Sequence, residues 1–117
     1  MAGKIARPPK LARIRRFALT LPGVEERNDK YGPSFQVNGK SFTLYWVPEE
    51  RWVLRLPHHQ EMMLFDTRPE TFSPMRAGRL LWAYVAVENL EARELDDLVQ
   101  AAWRYTAPKK LVASYSP

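Results

Sequence analysis

The sequence contains no cysteine, which excludes disulfides, thiolate metal sites and a cysteine nucleophile at once. Histidine is almost as scarce, with only His58 and His59, side by side. Neighbours on a helix diverge by about 100°, so the pair does not converge on one ion. With no further ligand at an informative spacing, they read as two solvated residues of a helix's first turn, and no metal is expected. No apolar run is long enough to span a membrane, and the basic N-terminus lacks the apolar stretch of a secretion signal. The expected compartment is the cytoplasm, with no membrane partner. Acidic residues are missing from residues 1–16, "MAGKIARPPKLARIRR", which hold six lysines and arginines. The remaining residues carry 12 basic and 13 acidic side chains, so the net charge of +5 originates at one end of the chain.

What is present is enough for one domain. At 117 residues and 45% hydrophobic content, with four Trp, five Tyr and five Phe, the chain can enclose its own core. A basic tail over residues 1–9 and a single domain over 10–117 are expected. After Pro8-Pro9, Leu11, Ile14, Ala18 and Leu21 recur at helical spacing. Lys10, Arg13 and Arg16 fall on the opposite side, and Pro22-Gly23 ends the helix. Val24 to Arg27 suits a short edge strand, and Tyr31-Gly32-Pro33 a turn.

Asn38-Gly39 is a strong signal for a two-residue hairpin, because both turn positions need positive φ. It would pair Val37 with Lys40, Gln36 with Ser41 and Phe35 with Phe42. Alternation then puts Phe35, Val37, Phe42, Leu44 and Trp46 on one apolar face, and Gln36, Ser41, Thr43 and Tyr45 on a polar one. A third strand, Trp52 to Leu56, follows. Pro57 opens a second helix, "PHHQEMMLFDT", with Met62, Met63 and Phe65 as its apolar bulk, and Pro69 closes it. "FSPMRAGRLL" reads as a loop with a short strand at Thr71 to Ser73, and Trp82 to Val87 as a strand. Asn89 is placed to cap a last helix whose Leu95, Leu98, Val99 and Ala102 form a core stripe, and Pro108 stops it. Strands and helices do not alternate regularly, so the expected class is α+β: an antiparallel sheet with a central hairpin and helices packed on it.

Motifs for chemistry fail one by one. Gly39-Lys40-Ser41 looks like the end of a phosphate-binding loop, but Ser34 stands where that loop needs glycine, and a strand pattern follows where it needs a helix. Gly32-Pro33-Ser34-Phe35-Gln36 lacks the second glycine of a nucleophile elbow. Glu25-Glu26, Glu49-Glu50 and Asp96-Asp97 are adjacent acids, whereas catalytic pairs come from separate elements facing one cleft. No enzyme and no cofactor are expected.

The cations are the remaining signal. Lys4, Arg7, Lys10, Arg13, Arg15 and Arg16 form the basic arm, while Lys40, Arg55, Arg76, Arg79, Lys109 and Lys110 are scattered over the rest. Such residues suit phosphate neutralisation, and no helix-turn-helix or RNA-recognition pattern accompanies them, so base-specific readout is not expected. Tyr45, on the polar sheet face, is a candidate to stack on a base.

The chain resembles the MmcQ/YjbR family of small bacterial proteins over roughly residues 10–112. "ALTLPGVEE", "YGPSFQVNGKSFTLYW", "WVLRLP", "HHQEMML" and "LWAYVAVENLEARELDDLVQAAWRYTAPKKL" carry the likeness as an ordered set. The resemblance implies an α+β fold with an antiparallel sheet, related to CyaY-like or double-wing arrangements. It also implies the label that family members carry, DNA-binding. Leu81-Trp82 departs from the family's usual Gly-Trp, and the arginine-rich extension before Leu11 is additional to the shared domain. Two functions follow as expectations. The first is a DNA-binding protein without sequence specificity that uses the basic arm and hairpin. The alternative is a module that binds another protein or a small ligand on its exposed sheet face.

Overall fold

The structure, a computed structural model, describes residues 8–77 and 80–115. Helix α1 (Leu11–Ala18) leads into strands β1 (Val24–Asp29), β2 (Gly32–Val37), β3 (Lys40–Trp46) and β4 (Arg51–Leu54). Helix α2 (His58–Thr67), strands β5 (Phe72–Ala77) and β6 (Leu80–Val85), and helices α3 (Ala92–Thr106) and α4 (Lys109–Ser114) complete the chain. All six strands form one antiparallel sheet in the order β1-β2-β3-β4-β6-β5. The α+β architecture expected from the sequence is therefore present.

The helices cover one face of this sheet. Ile14 and Ala18 of α1, Leu64 of α2, and Leu95, Leu98, Val99, Ala102 and Trp103 of α3 join Phe35, Val37, Phe42, Trp52, Leu54 and Val85 in one core. Two indole N–H groups tie the chain ends down: Trp103 Nε1 donates to Pro22 O at 3.0 Å, and Trp52 Nε1 to Pro9 O at 2.7 Å. Gly32 stands at φ +122°, where an added Cβ would lie 2.5 Å from the Tyr45 carbonyl oxygen.

The Asn38-Gly39 turn forms as its chemistry requires, with φ of +53° and +77°. Val37 faces Lys40 and Gln36 faces Ser41, but then the register slips and Phe35 faces Thr43. Phe42 is the extra residue of a β-bulge, and it inverts the alternation of everything after it. Thr43 and Tyr45 therefore turn into the core and are buried, while Leu44 and Trp46 move to the open face. The expected Phe35–Phe42 pair and the assignment of Leu44 and Trp46 to the apolar face are corrected by this one residue. Tyr45 packs edge-on against Trp52 at 5.4 Å, so it is no platform for a base.

Other local differences have equally local causes. The segment read as a loop, 72–81, is most of a hairpin, β5–β6, whose outward face tolerates polar residues. Asn89 does not cap α3. Its amide donates to Glu70 O and Thr71 Oγ1, and Glu91 holds the N-cap position. Met62 and Met63 are exposed at 49% and 56%, and the buried side chains of α2 are Leu64 and Glu61.

Candidate functional site

The register decides where the cations go. The β2–β3 turn at Asn38-Gly39, the end of β4, the end of β5 and the start of β6 all lie at one end of the sheet. Leu54 faces Thr43 on one side and Ala83 on the other, and Arg55 N–H donates to Phe42 O at 3.0 Å. Arg76 faces Leu81 on the outermost hairpin. Two hairpin tips thus flank Arg55 like wings, with Lys40 on one and Arg76 on the other.

The C-terminal helices reach the same end. Tyr105, in the last turn of α3, lines a cleft together with Arg55 and Arg76. Leu111 of α4 packs over Gly23, beside the Val24–Val37 pair that adjoins the Asn38-Gly39 turn, and the same helix opens on the exposed Lys109 and Lys110. The opposite end holds Glu49 and Glu50 in the β3–β4 turn. It also holds Glu70 before β5, and Glu88 and Glu91 after β6. That end also carries Lys30, Arg51 and Arg68, so both signs of charge occur there.

The arm residues behave differently. Arg13 makes a paired contact with Asp96, Nε to Oδ1 at 3.1 Å and Nη2 to Oδ2 at 2.6 Å. Arg15 does the same with Glu26, with both bonds at 2.8 Å. These bonds hold the Glu26 carboxyl below its ordinary pKa and raise both guanidinium groups. Helix α1 uses these two cations to dock on its own domain. Lys10 and Arg16 stay exposed, and Lys4, Arg7 and Arg79 lie outside the described residues.

A cleft bordered by the end of β4, α2, the β5–β6 hairpin and the end of α3 has a volume of about 310 Å³ and is lined by Arg55, Leu56, His58, Glu61, Arg76, Leu81, Trp82 and Tyr105. The Arg55 guanidinium sits over the Tyr105 ring, 5.5 Å from its centroid. Neither Arg55 nor Arg76 is in an ion pair among the described residues. Glu61 is only 1% exposed, and its Oε2 accepts the Leu56 N–H at 3.2 Å. Burial pushes its carboxyl up to about 7 against the opposing pull of that bond and of Arg55. Glu61 was not singled out from the sequence as a site residue. The available signal was Pro57: a helix that starts on proline leaves Leu56 N–H to be satisfied by an acceptor one turn on.

The described residues contain no cluster of three His, Asp or Glu able to hold a metal. None of their helices is long and apolar enough to cross a membrane. The open sheet face carries Leu44, Trp46 and Tyr84, with Tyr31 stacked on Trp46 at 4.9 Å. Arg51 there lies 4.0 Å from the Tyr84 ring centroid and donates to Ser73 Oγ at 2.7 Å.

The model of the YjbR family matches residues 19–105. The chain belongs to the YjbR family. The match starts after α1 and ends inside α3, so the YjbR portion includes all six strands and the cleft. The crystal structure of the Deinococcus radiodurans protein DR2400, with its DUF419 domain, is similar at a TM-score of 0.64 and 20% identity. The match covers 79% of this chain and 74% of that one, and it shows a shared fold. A search of curated proteins finds no match.

Proposed function

We propose that this YjbR protein is a cytoplasmic, non-enzymatic DNA-binding protein that grips the phosphodiester backbone with its hairpin end, without reading the sequence of a duplex. The observation that carries this reading is the placement of Lys40, Arg55 and Arg76, from three separate segments, at one end of the sheet, with α4, which opens on the exposed Lys109 and Lys110, packed beside it through Leu111. The arm takes a smaller part than its charge suggests, because Arg13 and Arg15 already hold carboxylates. No metal or cofactor enters the reading.

The test is duplex affinity against salt. Five phosphate contacts would give a log–log slope of about −4.5, and removing three would flatten it by about 3. The variant carrying Lys40→Ala, Arg55→Ala and Arg76→Ala is expected to do this, and deletion of residues 1–7 to change the slope far less. Deletion to residue 16 is unsuitable, because it removes Ile14 from the core. Absence of duplex affinity at low salt, or a triple variant with an unchanged slope, refutes the reading.

A further inference from the structure

The cleft at Arg55 asks three things of an occupant. Arg55, Arg76 and His58 on its rim call for an anion. Trp82 and Tyr105 offer ring surface to a planar group. Glu61 engages Oε2 with Leu56 N–H, while its other oxygen bonds to no described residue and calls for a donor. A bare phosphate would meet only the first demand and would be repelled by the carboxylate. An apolar molecule would meet only the second. A nucleotide whose base carries an exocyclic amine meets all three: phosphate on the arginines, ring on the aromatics, and amine donating to the carboxylate. At about 310 Å³ the cleft is at the small end of the ~300–1,000 Å³ range of ligand sites, which suits one such unit.

We propose that the cleft seats a single unstacked nucleotide with an amino-bearing base, cytosine or adenine, its phosphate held by Arg55 and Arg76 and its amine by Glu61. This rests on the hairpin end being the phosphate-binding surface. It adds a preference for single strands over duplex, and for amino over keto bases.

The test uses fluorescence anisotropy on the full chain at low salt with labelled oligo-dC, oligo-dT and a duplex of equal length. At pH 8 Glu61 is ionised, while the other charged or titratable groups facing it (Arg55, His58, Arg76 and Tyr105) are common to every arm. Oligo-dC is expected to bind about fivefold more tightly than oligo-dT, the contribution of one hydrogen bond. Glu61→Gln should reverse that order. Its carbonyl still accepts Leu56 N–H, and its amide now offers a donor to the thymine O4. Should this variant fold poorly, Trp82→Ala serves instead, and must weaken oligo-dC more than duplex. Binding of oligo-dC that dCMP displaces and dTMP does not supports free nucleotides as the source, and binding that resists dCMP supports a strand. Equal affinity of wild-type protein for oligo-dC and oligo-dT overturns the proposal while duplex binding, and the proposed function, stand. Loss of all binding overturns both.

Discussion

Replacing Glu61 by Gln removes the one buried acid of α2 and makes stability report on its charge. The carboxyl titrates at about 7 in the folded chain against 4.5 for an ordinary glutamate. Between those values the folded state holds more protons than the unfolded one, so unfolding free energy falls as pH rises through the window. Once Glu61 is ionised above pH 7, the displacement corresponds to about 3 kcal/mol of lost stability. Gln keeps the shape and the acceptor for Leu56 N–H but cannot ionise. The difference in stability between Glu61→Gln and wild type should therefore grow in the variant's favour by about 3 kcal/mol from pH 4.5 to pH 8. Urea unfolding at four pH values measures it, and for a domain of this size the same change would move Tm by about 10 °C or more. Any fixed cost of the substitution appears at every pH and cancels. A difference that stays flat across the window would show that Glu61 is ionised and solvated like a surface acid, and would refute the assignment.

The two glycines of the central strands should respond differently. Gly32→Ala forces a Cβ against the Tyr45 carbonyl in a backbone that disfavours it, and should cost ~3 kcal/mol or more, whereas Gly39→Ala meets open space and should cost ~1 kcal/mol by urea melts. The bulge is tested by neighbours: Tyr45→Ala should cost about 3–5 kcal/mol, and Trp46→Ala, on the open face, clearly less. Equal losses would mean that the register is wrong. Trp52→Phe removes the indole bond to Pro9, so trypsin should cut at Lys10 and Arg13 faster than in wild type.

The hairpin was legible because its signal is local. Asn38-Gly39 specifies a turn on its own, and the flanking residues need only agree with it. The bulge was not legible for the same reason. Whether Phe42 is counted in the ladder depends on what waits across the sheet, and the answer is Trp52 and the helices above it, about ten residues away or farther. Helix α3 was legible from its four-residue stripe of Leu95, Leu98, Val99 and Ala102, all of them buried. Helix α2 was placed correctly but turned wrongly, since its methionines are exposed. A short helix with apolar residues all round carries little directional information.

The candidate site was half legible in a more instructive way. Arg55, Arg76 and Tyr105 are far apart in sequence, and composition treats every cation alike, so the densest cluster, residues 4–16, dominated the reading. Folding reverses that weighting. A helix that must lie on its own domain brings its charges near carboxylates, and Asp96 and Glu26 accept Arg13 and Arg15. Arg55 and Arg76, at a strand end and near a hairpin end, are in no ion pair among the described residues, although Arg55 acts on the Glu61 carboxyl in the same cleft. On the reading proposed above, Arg55 and Arg76 are better placed for a partner's phosphates than Arg13 and Arg15, and density along the chain is a poor guide to which charges are free to act.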